Sequence, residues 1–90
     1  MFEWDERKAA INLAKHNVKF DAAREFDFDT AIEHIDDRED YGETRIVALG
    51  FIGVSLHVLI YAPQDDGTYR IISLRRATKS EQKDYVKAQA

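Results

Sequence analysis

The stretch RIISLRRATKSEQKDYV, residues 70–86, changes from a strand pattern to a helix pattern within a few residues. Its first half is an apolar run typical of a half-buried strand, and it ends in Arg75 and Arg76. The TKSE segment at 78–81 then matches the capping box, in which a threonine hydroxyl and a glutamate carboxylate each accept a backbone N–H at the start of a helix. The sequence therefore predicts a strand that leads directly into a C-terminal helix. Beyond its cap this helix has little apolar surface, so we expect it to be held loosely.

Upstream of this stretch the sequence predicts two helices and then further strands. Asp5 is a suitable N-cap for a helix ending near His16, Asn17 suits a left-handed C-cap, and a second short helix is predicted over 21–26. Residues 2–4 are predicted to be a short strand or an extended start. Longer strands are predicted over residues 31–35, 44–51, 54–62 and 68–76, separated by turns. We therefore expect one domain over residues 1–90, an α+β fold with two N-terminal helices, an antiparallel meander of about four strands and a C-terminal helix.

The charge of the chain is unevenly distributed. The formal net charge is −4, yet residues 7–24 and 70–87 are mostly basic, while residues 25–43 are mostly acidic. This pattern argues against a general nucleic-acid coat and favours one small basic site and one acidic surface, although solvated charged faces would give the same pattern. The sequence has no cysteine, which excludes disulfides and thiol chemistry. No apolar run is long enough to span a membrane and the N-terminus does not resemble a signal peptide, so we expect a cytoplasmic protein without membrane contact.

The arginine at position 75 has a functional and a structural interpretation. In a regular strand Ile71, Ser73 and Arg75 would share one face, so the guanidinium would stand beside a small residue with open space around it. A guanidinium that is free on a rigid strand is suited to bind a phosphate through two parallel donors. The structural alternative is a salt bridge across the sheet to an acid such as Glu33 or Glu43.

Three motif blocks occur in order along the chain. They are WDERKAAINLAKHNVKFDAA at 4–23, GETR at 42–45, and RIISLRRA at 70–77 followed by Glu81 and Tyr85. The first block follows the pattern W-D-x-x-K-x-x-x-N-x-x-K-H-G-V-x-F-x-x-A, and the third follows R-I-I-S-x-R-R-A-x-x-x-E-x-x-x-Y. In these patterns the chain resembles the BrnT toxins of bacterial type II toxin–antitoxin modules, which share the RelE-like ribonuclease fold.

The chain departs from the family pattern at three positions. Asn17 stands in place of a glycine, which a left-handed cap tolerates. Thr30 replaces a proline after the second helix, and we expect this change to loosen the turn. Leu74 replaces an alanine beside the arginine pair; facing the core it would change packing only, whereas in a register shifted by one residue it would crowd the site.

The resemblance implies cleavage of RNA without a metal or cofactor, by attack of the ribose 2′-hydroxyl on the neighbouring phosphate. Such a reaction needs a cation, a proton acceptor and a proton donor. The first candidate for the cation is Arg75 and the second is Arg45. The candidates for acid and base are His16, Lys8, Glu81 and Tyr85. The candidates for RNA binding are Arg76, Lys15, Asn12 and Lys79. The three histidines have no metal-ligand spacing, so no metal site is expected.

Several of these candidates also have structural explanations. His16 could be a cation at the end of a helix, Glu81 a helix cap and Tyr85 a packing anchor. Lys8, Asn12 and His16 follow one another at four-residue intervals and therefore share one helical stripe. That stripe is either a solvent-exposed face or one wall of a cleft against the sheet.

The resemblance also implies a partner, a BrnA-like antitoxin with a DNA-binding domain, through which alone the toxin would contact DNA. Free toxin would cleave RNA and inhibit translation. The acidic stretch 27–43 could guide a basic segment of the partner. Two alternatives are a non-catalytic binding module that only docks such a partner, and an unrelated small α+β domain.

Overall fold

The computed structural model describes residues 1–89 and confirms the α+β class. Along the chain the elements are β1 (Phe2–Glu3), α1 (Glu6–His16), a 3₁₀ helix (Phe20–Glu25), β2 (Ile32–Ile35), β3 (Ile46–Ile52), β4 (Ser55–Pro63), β5 (Tyr69–Arg76) and α2 (Lys79–Gln89). Among these residues no helix has the length and apolar content needed to cross a membrane.

The predicted caps of the first helix are confirmed. The Asp5 carboxylate accepts the backbone N–H of Arg7 at 2.8 Å and that of Lys8 at 3.2 Å. At the other end Asn17 has φ 57°, and its N–H donates to the Leu13 carbonyl. These contacts satisfy backbone groups that would otherwise be unpaired at the helix ends, so α1 begins and ends where the sequence indicates.

The second short helix is confirmed with shifted bounds. It covers Phe20–Glu25 instead of 21–26, and it is a 3₁₀ helix, which has fewer residues per turn than an α-helix. In a 3₁₀ helix side chains three residues apart lie on one side, which lets Phe20 and Ala23 enter the core together, at 2% and 1% exposure. One side of this short helix therefore packs into the core.

The sheet has five strands, in the order β1-β5-β4-β3-β2. Strands β2 to β5 form the predicted antiparallel meander, whereas β1 pairs in parallel with β5 through Phe2 and Glu3. The expectation of a purely antiparallel four-strand sheet is therefore wrong, and the sheet is mixed. A strand of two residues is too short to show an alternating pattern, so its partner could not be identified from the sequence.

A β-bulge in β5 changes which side chains face the core. Tyr61 pairs with Ile71 while the preceding Ile60 pairs with Ser73, which leaves Ile72 without an opposite residue. Consequently Ile71 and Leu74, three residues apart, both face the core beneath α1 and the 3₁₀ helix. The predicted grouping of Ile71 with Ser73 and Arg75 is wrong for this reason. Leu74 is fully buried, so its difference from the family pattern affects packing.

The C-terminal helix lies against the opposite face of the sheet. Its one buried residue among 79–89 is Tyr85, whose ring contacts that of Phe51 edge to face with 5.4 Å between centroids. The Tyr85 hydroxyl donates to the Thr30 carbonyl at 2.8 Å. The Thr30 hydroxyl in turn donates to Asp27 at 2.9 Å, which closes the turn that the missing proline was expected to loosen.

Candidate functional site

A groove crosses the sheet face that α2 leaves open. Its floor is formed by Val47, Val58 and Ile60, one wall by residues 34–38, and the other by Arg75 and Glu81; its volume is about 240 Å³. The strand register explains this arrangement, because positions 34, 47, 60 and 73 lie opposite one another across four strands. Aliphatic side chains therefore form the floor of the groove, and charged groups stand on its two walls.

Arg75 is paired with Glu81 at one end of this groove. Nη1 and Nη2 of the guanidinium donate to Oε1 and Oε2 of the carboxylate, each at 2.8 Å. The capping box also forms as predicted: the Thr78 N–H donates to Glu81, and the Glu81 N–H donates to the Thr78 hydroxyl at 3.1 Å. Glu81 thus has two roles at once. The interpretation of Arg75 as a free guanidinium is wrong. The structural alternative of a salt bridge is confirmed, but its partner is Glu81 instead of Glu33 or Glu43.

The pair is polarised but not sealed from solvent. The Arg75 hydrogen bonds lower the pKa of Glu81 to about 2, while Glu81 raises the pKa of Arg75. Both side chains remain about 30% exposed. A guanidinium has five N–H donors; two are taken by Glu81 and one Nη1 donor lies 3.3 Å from the Arg76 carbonyl. Two donors therefore have no hydrogen-bond partner among residues 1–89.

The opposite wall is held together by a buried carboxylate. Asp36, whose side chain is 2% exposed, accepts Nε and Nη2 of Arg38 at 2.8 and 2.7 Å and the Tyr41 hydroxyl at 3.2 Å. These bonds, with that from Arg38 the strongest, lower the pKa of Asp36 and raise that of Arg38. The positive charge of Arg38 also acts on Arg75 from across the groove.

His34 lines this wall and was missed by the sequence reasoning. In the sequence, the spacing of the histidines was the only signal for His34, and it bore only on metal binding. His34 is level with Ser73, two residues before Arg75 and three strand spacings away, roughly 14 Å. It lines the same groove as Arg75 only because β2, β3, β4 and β5 pair side by side. Across residues 1–89 no three side chains of the metal-ligating types gather into a group.

Arg45 lies away from Arg75. Its Nε donates to Glu43 at 3.3 Å, and its guanidinium carbon is 4.0 Å from the centroid of the Tyr41 ring. Glu43 also accepts a hydrogen bond from Arg70, which with Arg45 lowers the pKa of Glu43. Leu49 is the β3 residue level with Arg75, and Arg45 precedes it by four residues, roughly 13 Å along a strand. The structure does not bring the two arginines together.

The remaining predicted residues of the C-terminal region differ in accessibility. Tyr85 is 8% exposed and its hydroxyl is committed to Thr30, as expected of a packing anchor. Arg76 and Lys79 are exposed, at the end of β5 and the start of α2.

The predicted stripe on α1 forms one wall of a second groove, against β5. This groove has a volume of about 200 Å³, and its lining is Lys8, Ile11, Asn12, Lys15, His16, Ile72 and Ser73. Asn12 is 6% exposed, and its side-chain amide bonds both backbone groups of Leu74, as a neighbouring strand would. Nδ2 donates to the carbonyls of Leu74 at 2.8 Å and Val18 at 3.0 Å, and Oδ1 accepts the Leu74 N–H at 3.2 Å. Asn12 therefore fixes α1 to the strand that carries Arg75.

Comparisons with known proteins agree on one family. Residues 4–81 match the family described as "Ribonuclease toxin, BrnT, of type II toxin-antitoxin system". The fold is similar to the 1.1 Å crystal structure of the Brucella abortus ribonuclease toxin, BrnT, with a TM-score of 0.67 and 26% sequence identity, over 88% of this chain and 99% of that chain. The comparison with curated proteins gives no match. The matched range 4–81 includes both walls of the groove that contains Arg75.

Proposed function

The chain belongs to the BrnT family of ribonuclease toxins of type II toxin–antitoxin systems, and we propose that it cleaves RNA at the groove between Arg75 and His34 by a metal-independent reaction of the RelE-like class. The single observation that carries this proposal is the groove itself. It is open and lies on the sheet, and it has on one wall a guanidinium with two N–H groups that are not bonded within residues 1–89 and on the other wall an imidazole.

The reaction is an internal transfer of a phosphoryl group. The ribose 2′-oxygen bonds to phosphorus and the bond from phosphorus to the 5′-oxygen breaks, which leaves a 2′,3′-cyclic phosphate and a 5′-hydroxyl. The proton leaves the 2′-hydroxyl for a base, and an acid gives a proton to the departing oxygen. Arg75 stabilises the negative charge that develops on the phosphorane oxygens.

His34 is the imidazole among the residues that line this groove, and we assign proton transfer to it. Imidazole is the side chain whose charge changes most readily near neutral pH. Glu81 is a weak base because the pKa of its carboxyl is lowered to about 2. Tyr85 is buried with its hydroxyl bonded to Thr30, and His16 and Lys8 line the other groove. Glu81 instead acts as a positioning residue, since its two oxygens fix the plane of the Arg75 guanidinium.

Purified variants test this assignment through cleavage of a labelled single-stranded RNA. Arg75→Ala should slow cleavage about 10²–10³-fold, the cost of removing one transition-state cation or donor. The matched control is Arg24→Ala, because Arg24 is also ion-paired, to Asp21 at 2.7 Å, but belongs to the 3₁₀ helix on the other face of the sheet. His34→Ala should also lower the rate, and the products should carry 2′,3′-cyclic phosphate ends with EDTA present. An Arg75→Ala rate equal to that of wild type would disprove the proposal.

The family implies an antitoxin partner, which we propose is BrnA-like, carries the DNA-binding domain and silences the toxin by covering this groove. Free toxin in the cytoplasm would then inhibit translation. Induction of the chain alone should arrest growth, Arg75→Ala should relieve the arrest, and coexpression of the antitoxin should do the same. Normal growth at a verified level of wild-type protein would remove the toxin assignment. Tight binding to the antitoxin without RNA cleavage would favour the non-catalytic binding module.

A further inference from the structure

We propose that the groove between α1 and β5 is a second anion site, which holds a backbone phosphate of the RNA close to the one that is cleaved. This inference rests on the proposed function for the identity of its ligand. It assigns binding to Lys8, Lys15 and His16, whereas Arg75 acts on the reacting phosphate.

The shape of this groove is set by a buried contact. The Asn12 amide binds both backbone groups of Leu74 and so holds α1 beside β5 at this point. Lys8 and Lys15 stand on either side of Asn12, four residues before it and three after it, about 10 Å apart along the helix axis. The two lysines therefore lie on α1 on either side of one fixed contact with the strand.

The charges in this groove are uncompensated. Within residues 1–89 five ion pairs form, and they use Arg24, Arg38, Arg45, Arg70 and Arg75. Lys8 and Lys15 take part in none of them, and no carboxylate lines the groove. The groove with Arg75 contains Asp36, Asp37 and Glu81. An anion therefore meets far less opposing negative charge between α1 and β5.

This difference in charge assigns the attraction of RNA to the α1–β5 groove and the reaction to the groove that contains Arg75. Because Glu81 offsets most of the positive charge of Arg75, that guanidinium adds little long-range attraction for RNA. Affinity for nucleic acids depends mainly on cations that neutralise phosphates and release counterions. The unpaired lysines can supply this attraction.

Ser73 connects the two grooves. It lines the α1–β5 groove, and the register places it on the same face of the sheet as Arg75, since its partner Ile60 and the Arg75 partner Val58 both form the floor of the other groove. Two residues along a strand span roughly 6.7 Å. An extended RNA strand that follows β5 would thus meet the lysines and then Arg75.

The test uses a 2′-O-methyl RNA oligonucleotide, which cannot be cleaved by 2′-hydroxyl attack, and measures its dissociation constant at several salt concentrations. The double variant Lys8→Ala/Lys15→Ala is compared with Lys83→Ala/Lys87→Ala, which removes the same charge from the exposed surface of α2. Each lost phosphate contact should reduce the salt slope by about 0.7, so the first variant should lose about 1.4 in slope and about 25-fold in affinity at 0.1 M salt. The control should stay within about twofold of wild type. Circular dichroism verifies that both variants are folded.

The outcomes separate this inference from the proposed function. In one outcome, wild type binds the oligonucleotide, Lys8→Ala/Lys15→Ala loses the expected salt slope and affinity, and wild type does not cleave unmodified RNA. The second site then stands and the ribonuclease assignment falls. In another outcome, unmodified RNA is cleaved, and the KM for it and the salt slope of binding are the same for Lys8→Ala/Lys15→Ala as for wild type. The second site is then disproved while the ribonuclease assignment stands. Equal losses in both double variants, or no binding by wild type, would also overturn it. A variant that keeps RNA binding but loses antitoxin binding would assign the groove to the protein partner.

Discussion

Replacement of Glu81 by glutamine tests how the groove is built. The amide oxygen of glutamine can still accept the Thr78 N–H, so the helix cap is largely kept, while the negative charge that holds Arg75 is removed. The change therefore isolates the ion pair from the cap, two roles that the wild-type carboxylate combines.

The size of the effect follows from the pKa of Glu81, which falls from 4.5 to about 2 on folding. Since a difference of one in pKa corresponds to about 1.4 kcal/mol, the full linkage is roughly 3.4 kcal/mol. The side chains are about 30% exposed, so solvent screening reduces this value. We expect about 1.5–2 kcal/mol, the lower part of the range for hydrogen bonds to charged groups. Because the folded-state pKa is depressed, this stability is present above pH 4.5 and is lost as the pH falls toward 2.

The assay is urea unfolding of wild type and Glu81→Gln, followed by circular dichroism at pH 7 and at pH 2.5. The variant should be less stable by about 1.5–2 kcal/mol at pH 7, and the difference should shrink to less than half at pH 2.5. Glu6→Gln, an exposed acid in the first turn of α1, is the control and should change stability by less than about 0.5 kcal/mol. Adding Arg75→Met completes a double-mutant cycle. An equal loss at both pH values, or no coupling in the cycle, would refute the ion-pair reasoning.

Two further predictions concern the supports of the sheet. Asn12→Leu should lower the free energy of unfolding by about 3–4 kcal/mol, because it leaves the buried Leu74 and Val18 backbone groups without partners. Urea unfolding measures this loss. A loss below about 1 kcal/mol would contradict the buried hydrogen-bond network. Amide exchange over 79–89 should be faster than over β4 and β5, since α2 is anchored mainly by Tyr85. Tyr85→Phe should speed that exchange further, by about fivefold for the loss of one hydrogen bond of about 1 kcal/mol, and protection of α2 equal to that of the sheet would show that other contacts hold it.

Features set by neighbouring residues could be predicted from the sequence. Asp5 and Asn17 cap α1 through contacts within four residues, and Glu81 caps α2 through Thr78. The four longer strands were also predicted, because alternation and turn residues are local signals. The family resemblance could also be read from the sequence, because each motif block is a local pattern of residues.

The tertiary structure decided what those elements do together. Arg75 and Glu81 were both identified as candidates, but their pairing became visible only in the structure, where the start of α2 brings Glu81 back to the end of β5. The bulge opposite Ile60 and Tyr61 moved Ile71 to the core, and no pattern within β5 encodes it. His34 lines the same groove as Arg75 only because three strand pairings place β2 and β5 at its two walls. Contacts between distant segments depend on packing and register, which a local pattern does not specify.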